Sequence, residues 1–496
     1  MGTSLLIQHV MMRSNTKAHP RSLLLLLLAL LASAAHAAPT APFAARYAAA
    51  MRPQFTGDVE RPDLPHYMVH MRINPANGEL RGTLDLLFRN TSDIPLPNAV
   101  LRLYANFPRD VFGDGGTGAA SVADVQVNGQ AVQPSYIAQH TAVQLPFPKQ
   151  LAPGDDAQIS LRWSARIAPL HGTDDTLVLA SAIPQLAVWD GQWRTDVTVL
   201  PDHVYAISGL YQVFVTAPTA WMVASGGTEI ARTTHGRQTT SEIVTGPVRE
   251  FAFALGHFQR LEDTADGLTV RVLYRRAGRV PEAAARKILA RAIQSLATTT
   301  DRYGSYPYRL LSFCVLEAGR GYSDAREYPG FILLLLDHGY SPTTHEDVAH
   351  EVGHQWFYGI VGNDIYQDPW MDEALAQYTT FIVMQQWDGA AVANTYFNTE
   401  IAALGMRSRY SLRPANAYPS WGSYYASVYG KGGLFIAALR RQVGDEAFFA
   451  GLRQYVERNR YNVAHPDDLR RALEDASGQK LTKLFGVWLG VRGALH

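Results

Sequence analysis

The 496-residue chain has a single cysteine, Cys314, and no excess of either charge: 44 Lys+Arg stand against 44 Asp+Glu. One thiol excludes any disulfide within the monomer, so the fold must rest on its core or on something else, such as a metal. Cys314 sits in the apolar run Leu310–Leu316, where a buried structural thiol is expected rather than a nucleophile. Zero net charge argues against a nucleic-acid-binding protein, which needs a clustered basic surface, so no nucleic-acid partner is expected. The sequence also lacks internal repeats, low-complexity tracts and coiled-coil heptads, which excludes solenoids and long fibrous helices. With 47% hydrophobic and 18% charged residues, the composition is that of an ordinary globular chain. Its length suggests about two to four domains.

No apolar run is long enough to cross a bilayer. Leu23–Leu31 falls short of the roughly 20 residues a spanning helix needs. It follows Arg13, Lys17 and Arg21 and precedes small residues ending in Ala35-His36-Ala37. A basic start, a short apolar stretch and an A-x-A site read as a cleavable secretory signal. The expectation is a signal peptide over 1–37 and a mature chain from Ala38 without a membrane span, exported to the periplasm or the outside.

The remainder divides by period. From about residue 60 to about 260 apolar residues alternate with polar ones, as in Tyr67, Val69, Met71 and Ile73, or Ile159, Leu161 and Trp163. From Pro281 the period becomes helical, with Ile288, Ala292 and Leu296 on one face. Further helices are predicted at 345–361, 369–387, 433–442, 445–458 and 466–475, with strand-like runs at 309–316 and 330–336. The fold class is therefore multidomain: an antiparallel β domain over 38–265, then an α+β, mostly helical domain over 266–496, with the boundary at Asp263–Gly267.

One constellation carries chemistry. His350-Glu351-Val352-Gly353-His354 is an H-E-x-x-H pattern, and Thr343 with Glu346 offers a capping box for its helix. Positions i and i+4 share a helical face, so both imidazoles can point at one ion. Glu351 then lies near that ion without binding it, placed to take a proton from an activated water. A catalytic zinc site needs a third protein ligand and an open fourth position. Asp368-Pro369 reads as the start of a second helix bearing Glu373, 19 positions after His354, which supplies that ligand.

His350-Glu351-Val352-Gly353-His354-Gln355-Trp356-Phe357, followed by Trp370-Met371-Asp372-Glu373-Ala374, resembles the M1 family of zinc aminopeptidases, which are gluzincins. The resemblance implies a saddle-like N-terminal β domain, a thermolysin-like catalytic domain, and one Zn2+ per chain on His350, His354 and Glu373. The family's Gly-Ala-Met-Glu-Asn loop, which binds the substrate's free amine, is matched by Asp324-Ala325-Arg326-Glu327-Tyr328. Glu327 and Ala325 keep the family's residues, Tyr328 stands for the asparagine, and Asp324 and Arg326 replace glycine and methionine. This implies Glu327, Ala325 and Tyr328 in substrate binding. Tyr429-Gly430-Lys431-Gly432 matches the segment whose tyrosine stabilises the tetrahedral intermediate, which implies a catalytic Tyr429.

The chain stops shortly after Trp488, where the family's catalytic domain ends. A cleft without the larger members' helical roof is expected, or a roof lent by a second copy in a homo-oligomer. The leading reading is an exported zinc aminopeptidase acting on peptides with a free N-terminus, with Glu351 as general base. A zinc endopeptidase or a dedicated peptide-processing enzyme is the alternative, and an inactive peptide-binding homologue the third reading.

Overall fold

The computed structural model describes residues 42–108, 120–166, 176–198, 204–318, 323–337 and 339–490. The signal-peptide segment 1–37 lies outside the described residues. From Ala44 onward the chain forms one compact unit.

The alternating sequence builds an eight-stranded sheet around His66–Asn74, Glu79–Arg89 and Asp156–Arg166, which pair antiparallel with Val69 opposite Leu84 and Leu84 opposite Leu161. All three residues are buried, as period-two patterning requires when one face meets a core. A four-stranded sheet and a three-stranded sheet complete the β portion; the latter orders Met222–Ser225, Phe253–Gly256 and Thr176–Leu179.

A separate five-stranded sheet runs in the order Phe258–Ala265, Leu268–Arg275, Leu310–Glu317, Phe331–Leu336, Asp324–Tyr328. Its three inner strands are parallel, and each edge strand is antiparallel to its neighbour. Every residue of Leu310–Glu317 and Phe331–Leu336 is buried, which explains the unbroken apolar run of the second and the mostly apolar first, where Ser312 and Glu317 are the polar members. Cys314, Leu316, Phe331 and Leu333 pack with Ala224, Ala252 and Ala254 of the β portion, and Cys314 is buried and free as expected. The division at Asp263–Gly267 is corrected here. Asp266 and Gly267, with φ of 50° and 74°, turn a hairpin inside the five-stranded sheet, so the change of sheet precedes Phe258. Periodicity could not separate the two sheets, because their strands alternate alike.

The helices Glu282–Tyr303, Pro342–His354, Trp370–Trp387, Gly432–Val443, Asp445–Asn459 and Pro466–Ser477 correspond to the predicted ones, and helices such as Ala390–Tyr396, Trp421–Tyr425 and Thr482–Leu489 are added. Two boundaries differ at the site helix. It starts from a reciprocal cap between Ser341 and Thr344 rather than Thr343 and Glu346, and it ends at His354, not 361. Tyr358 has φ of 128°, which no α-helix accommodates, and the chain folds back with Val361 N donating to Trp356 O at 2.9 Å. The second helix begins at Trp370 with Pro369, not Asp368, in the capping position.

The sequence Asn90-Thr91-Ser92 matches a glycosylation acceptor. In the fold Asn90 is buried, and its amide nitrogen donates to the carbonyls of Ile94 and Leu151, both at 2.9 Å. That nitrogen is a structural donor, not a modification site. Among the described residues no helix is long and apolar enough to cross a membrane.

Candidate metal centre

Helices Pro342–His354 and Trp370–Trp387 bring His350, His354 and Glu373 together. The Nε2 atoms of the two histidines are 3.0 Å apart, and Glu373 Oε2 lies 3.2 Å from one and 3.3 Å from the other. Among the described residues this is the one cluster of its kind. A tetrahedral ion with bonds of about 2.0–2.1 Å spaces its ligands about 3.3 Å apart, so the three donors fit zinc. The donor chemistry fits as well. His354 Nδ1 faces the Phe357 carbonyl at 3.1 Å, which assigns its proton there and leaves Nε2 bare toward Glu373. Gln377 is a hydrogen-bond partner of His350.

Charge at the centre is tightly balanced. Burial alone would raise the Glu373 carboxyl, but the facing imidazoles outweigh it and hold the group far below the usual carboxylate range. Burial likewise opposes a charge on His354, yet the carboxylates of Glu327 and Glu373 override it and push that imidazole up. For His350 burial wins, and its basicity falls. The site thus draws one positive charge toward His354 and Glu373, where a cation would sit. Asp372 is pushed up to about 8 by burial and by Glu373, and its Oδ1 accepts from the Glu373 amide at 2.9 Å.

Glu351 is buried at 4% exposure, and its Oε2 has no hydrogen-bond partner among the described residues. Burial, reinforced by the Glu327 charge, pushes it well above the ordinary carboxylate range. It opens on a cleft of about 260 Å³ that also takes His350, His354 and Glu373.

Glu327 and Ala325 line that cleft from edge strand Asp324–Tyr328. The strand is carried back by a Pro329-Gly330 turn in which Gly330 has φ of 73°, a conformation glycine supplies freely. Asp324 and Arg326 also line the cleft, paired with each other at 2.8 Å. Tyr328 differs from its expected place. It lines a smaller chamber of about 60 Å³ with Glu250, Tyr358 and Asp372, and its ring packs against Phe331 at 6.1 Å. Glu327 borders both spaces, whereas Tyr328 borders the smaller one.

Tyr429 lies within Ala426–Lys431, a π-helical turn of the kind that often marks functional sites. Its hydroxyl donates to Glu373 Oε1 at 2.5 Å, and its ring stacks 6.0 Å from His350. Sequence reasoning missed Gln355, whose Oε1 accepts from the Gly330 amide at 2.8 Å and whose Nε2 donates to the Tyr328 carbonyl at 3.3 Å. It ties the metal-binding helix to the strand bearing Glu327. The signal was its place directly after His354.

Residues 332–488 match the Peptidase family M1 domain. Aminopeptidase N of Lactococcus lactis subsp. lactis is 29% identical over 171 residues, covering 32% of this chain and 20% of its own. Aminopeptidase M1 of Arabidopsis thaliana is 25% identical over 265 residues, covering 49% and 29%. The chain thus spans less than a third of the length of these two relatives. An M1 zinc metallopeptidase from Deinococcus radiodurans has the same fold, with a TM-score of 0.64 at 21% identity over 86% of this chain and 93% of that one. A mutant of that protein bound to a Tyr-Ser-Ala substrate superposes with a TM-score of 0.64 at 20% identity, covering 88% and 95%. The fold is shared with M1 zinc metallopeptidases, and the site has a gluzincin-like donor set of two histidines and one glutamate. The match to peptidase family M1 covers residues 332–488, about a third of the chain, and zinc is the metal that the three donors fit.

Proposed function

We propose that this chain is a zinc aminopeptidase that removes residues from the free N-terminus of peptides. The observation that carries the reading is one cleft holding three metal donors 3.0–3.3 Å apart, an unpartnered buried carboxylate at Glu351, and a second carboxylate at Glu327. His350, His354 and Glu373 would hold the zinc ion, which when bound would supply Lewis acidity toward a carbonyl and toward water near neutral pH. Glu351, whose raised proton affinity suits the task, takes the proton from water and hands it to the departing amine. Tyr429, already directed at the centre through Glu373, donates a hydrogen bond to the oxyanion as it forms. Glu327 pairs with the substrate's ammonium group, which fixes the register at the first peptide bond. Ala325 leaves room beside it on the same strand.

Glu351→Gln tests the general base. Loss of peptide hydrolysis by at least about a thousandfold with zinc content unchanged is expected; near-wild-type turnover in the zinc-loaded variant rejects the role.

Export belongs to the same proposal. The basic, apolar and small-residue order of Arg13 to Ala37 supports cleavage after Ala37. Expression in the source cell followed by N-terminal sequencing should find a chain beginning at Ala38; an intact leader on intracellular protein contradicts it.

A further inference from the structure

Three carboxylates in the cleft wall take no part in the chemistry above. Glu346 and Asp347 come from helix Pro342–His354, one turn ahead of His350 and Glu351, and Glu400 comes from the π-helical segment Phe397–Ala403. Asp347 lies three residues before His350 and four before Glu351, so it shares their face of the helix. No hydrogen bond or ion pair engages the side-chain carboxylates of Glu346, Asp347 or Glu400 among the described residues, although the Glu400 backbone carbonyl accepts from Gln377 at 3.4 Å. The one lysine or arginine lining the cleft is Arg326, and Asp324 holds it at 2.8 Å. A wall built for stability would pair such groups, because gathering like charges in a recess costs free energy.

Two further features point to a ligand in this space. Glu351 Oε2, buried and unpartnered, opens on the same cleft. Aromatic rings line it, with Trp421 stacked on Tyr425 at 5.8 Å and Tyr425 tilted against Tyr429 at 4.6 Å. Carboxylates beside aromatic faces suit a long cationic side chain, whose head meets the acids while its stem and charge lie against the rings. Burial pushes Glu346 and Asp347 each up to about 7, with Glu400 adding to the first rise and Glu346 and Asp324 to the second, so an arriving cation would also complete their ionisation.

We propose that the wall formed by Glu346, Asp347 and Glu400 selects peptides carrying lysine or arginine within two residues of the N-terminus. This rests on the aminopeptidase reading for where the peptide lies, and the test separates the two. Zinc-loaded Glu351→Gln protein is titrated by calorimetry with Lys-Ala, Ala-Lys and the twins in which norleucine replaces lysine. At least one lysine peptide should bind about tenfold or more tightly than its twin. The combined Glu346→Gln, Asp347→Asn, Glu400→Gln variant should bring that pair to parity. Equal or tighter binding of the norleucine twins overturns the proposal, as does a lysine preference that survives the three substitutions. Should the triple variant not fold, each single amide variant should lose part of the preference, and full retention in all three overturns it equally. Hydrolysis of the same peptides by the wild type is scored separately. Failure to cleave any of them refutes the aminopeptidase reading, while the binding comparison still decides selectivity.

Discussion

Arg249 Nε donates to the carbonyl of Tyr358 at 2.7 Å, across 109 residues of chain. The neighbouring Glu250 accepts a hydrogen bond from the hydroxyl of the same tyrosine. Two adjacent residues of the β portion therefore grip both ends of a residue held at φ of 128°. That turn presents the Phe357 carbonyl to His354 Nδ1 and so orients a metal ligand.

Tyr358→Phe removes the hydroxyl grip while keeping the ring. Zinc affinity should fall about tenfold, the lower end of what loss of an outer hydrogen-bond partner costs. Competition against a chromogenic chelator measures it. Unchanged affinity would mean that the turn holds its shape without Glu250.

Glu250 itself titrates in a useful range. Burial pushes it up to about 7, against the hydrogen bonds from Tyr358 and Ser181, with the Glu327 charge adding to the rise. A carboxyl whose folded pKa is raised is bound more tightly to its proton in the folded state. Its contribution is complete below the unfolded pKa near 4.5 and is lost as pH rises to about 7. Glu250→Gln keeps the acceptor for Tyr358 and removes the titration. The variant should gain stability over wild type between about pH 5 and pH 7, reaching on the order of 3 kcal/mol at pH 8. Urea unfolding of the zinc-free proteins across that range checks the sign; a pH-independent difference contradicts it.

These relationships show what could be read from the residues and what could not. His350 and His354 were legible because helical spacing sets which side chains share a face, whereas Glu373, on a second helix, was legible through the likeness to family M1. The fully apolar Phe331–Leu336 was legible as a strand because burial on both faces removes polar neighbours. Glu250 was not, since a lone carboxylate in the loop before strand Phe253–Gly256 carries no periodic signature and its partner lies 108 residues away. The end of the site helix was equally hidden: Trp356, Phe357 and Tyr358 continue an apolar pattern, and only tertiary packing turns them inward, with Trp356 Nε1 donating to Gly304 O at 3.0 Å.

Tyr429→Phe deletes the hydroxyl assigned to the oxyanion. Turnover should drop about a hundred- to a thousandfold with KM little changed and zinc retained. A rise in KM at constant kcat would instead make Tyr429 a substrate-binding residue.

Gly432 brings the Tyr429 segment against the helix of Glu373. A Cβ there would stand 2.6 Å from the Ala374 Cβ, too close for either backbone. Gly432→Ala should cost about 1–3 kcal/mol of stability and weaken zinc binding by displacing Glu373. Thermal unfolding with metal analysis tests both, and an unaltered protein would show that the two segments separate without consequence.

The central claim is that Glu327 turns a zinc peptidase cleft into one that counts from the N-terminus. The most direct test incubates the purified, zinc-loaded protein with a mixed-sequence peptide and its N-acetylated twin, following products by mass spectrometry. Stepwise loss of N-terminal residues from the free peptide alone is predicted, with Glu327→Gln slowing that loss far more than it changes zinc content. Internal cuts in both peptides would contradict the account and make the protein an endopeptidase.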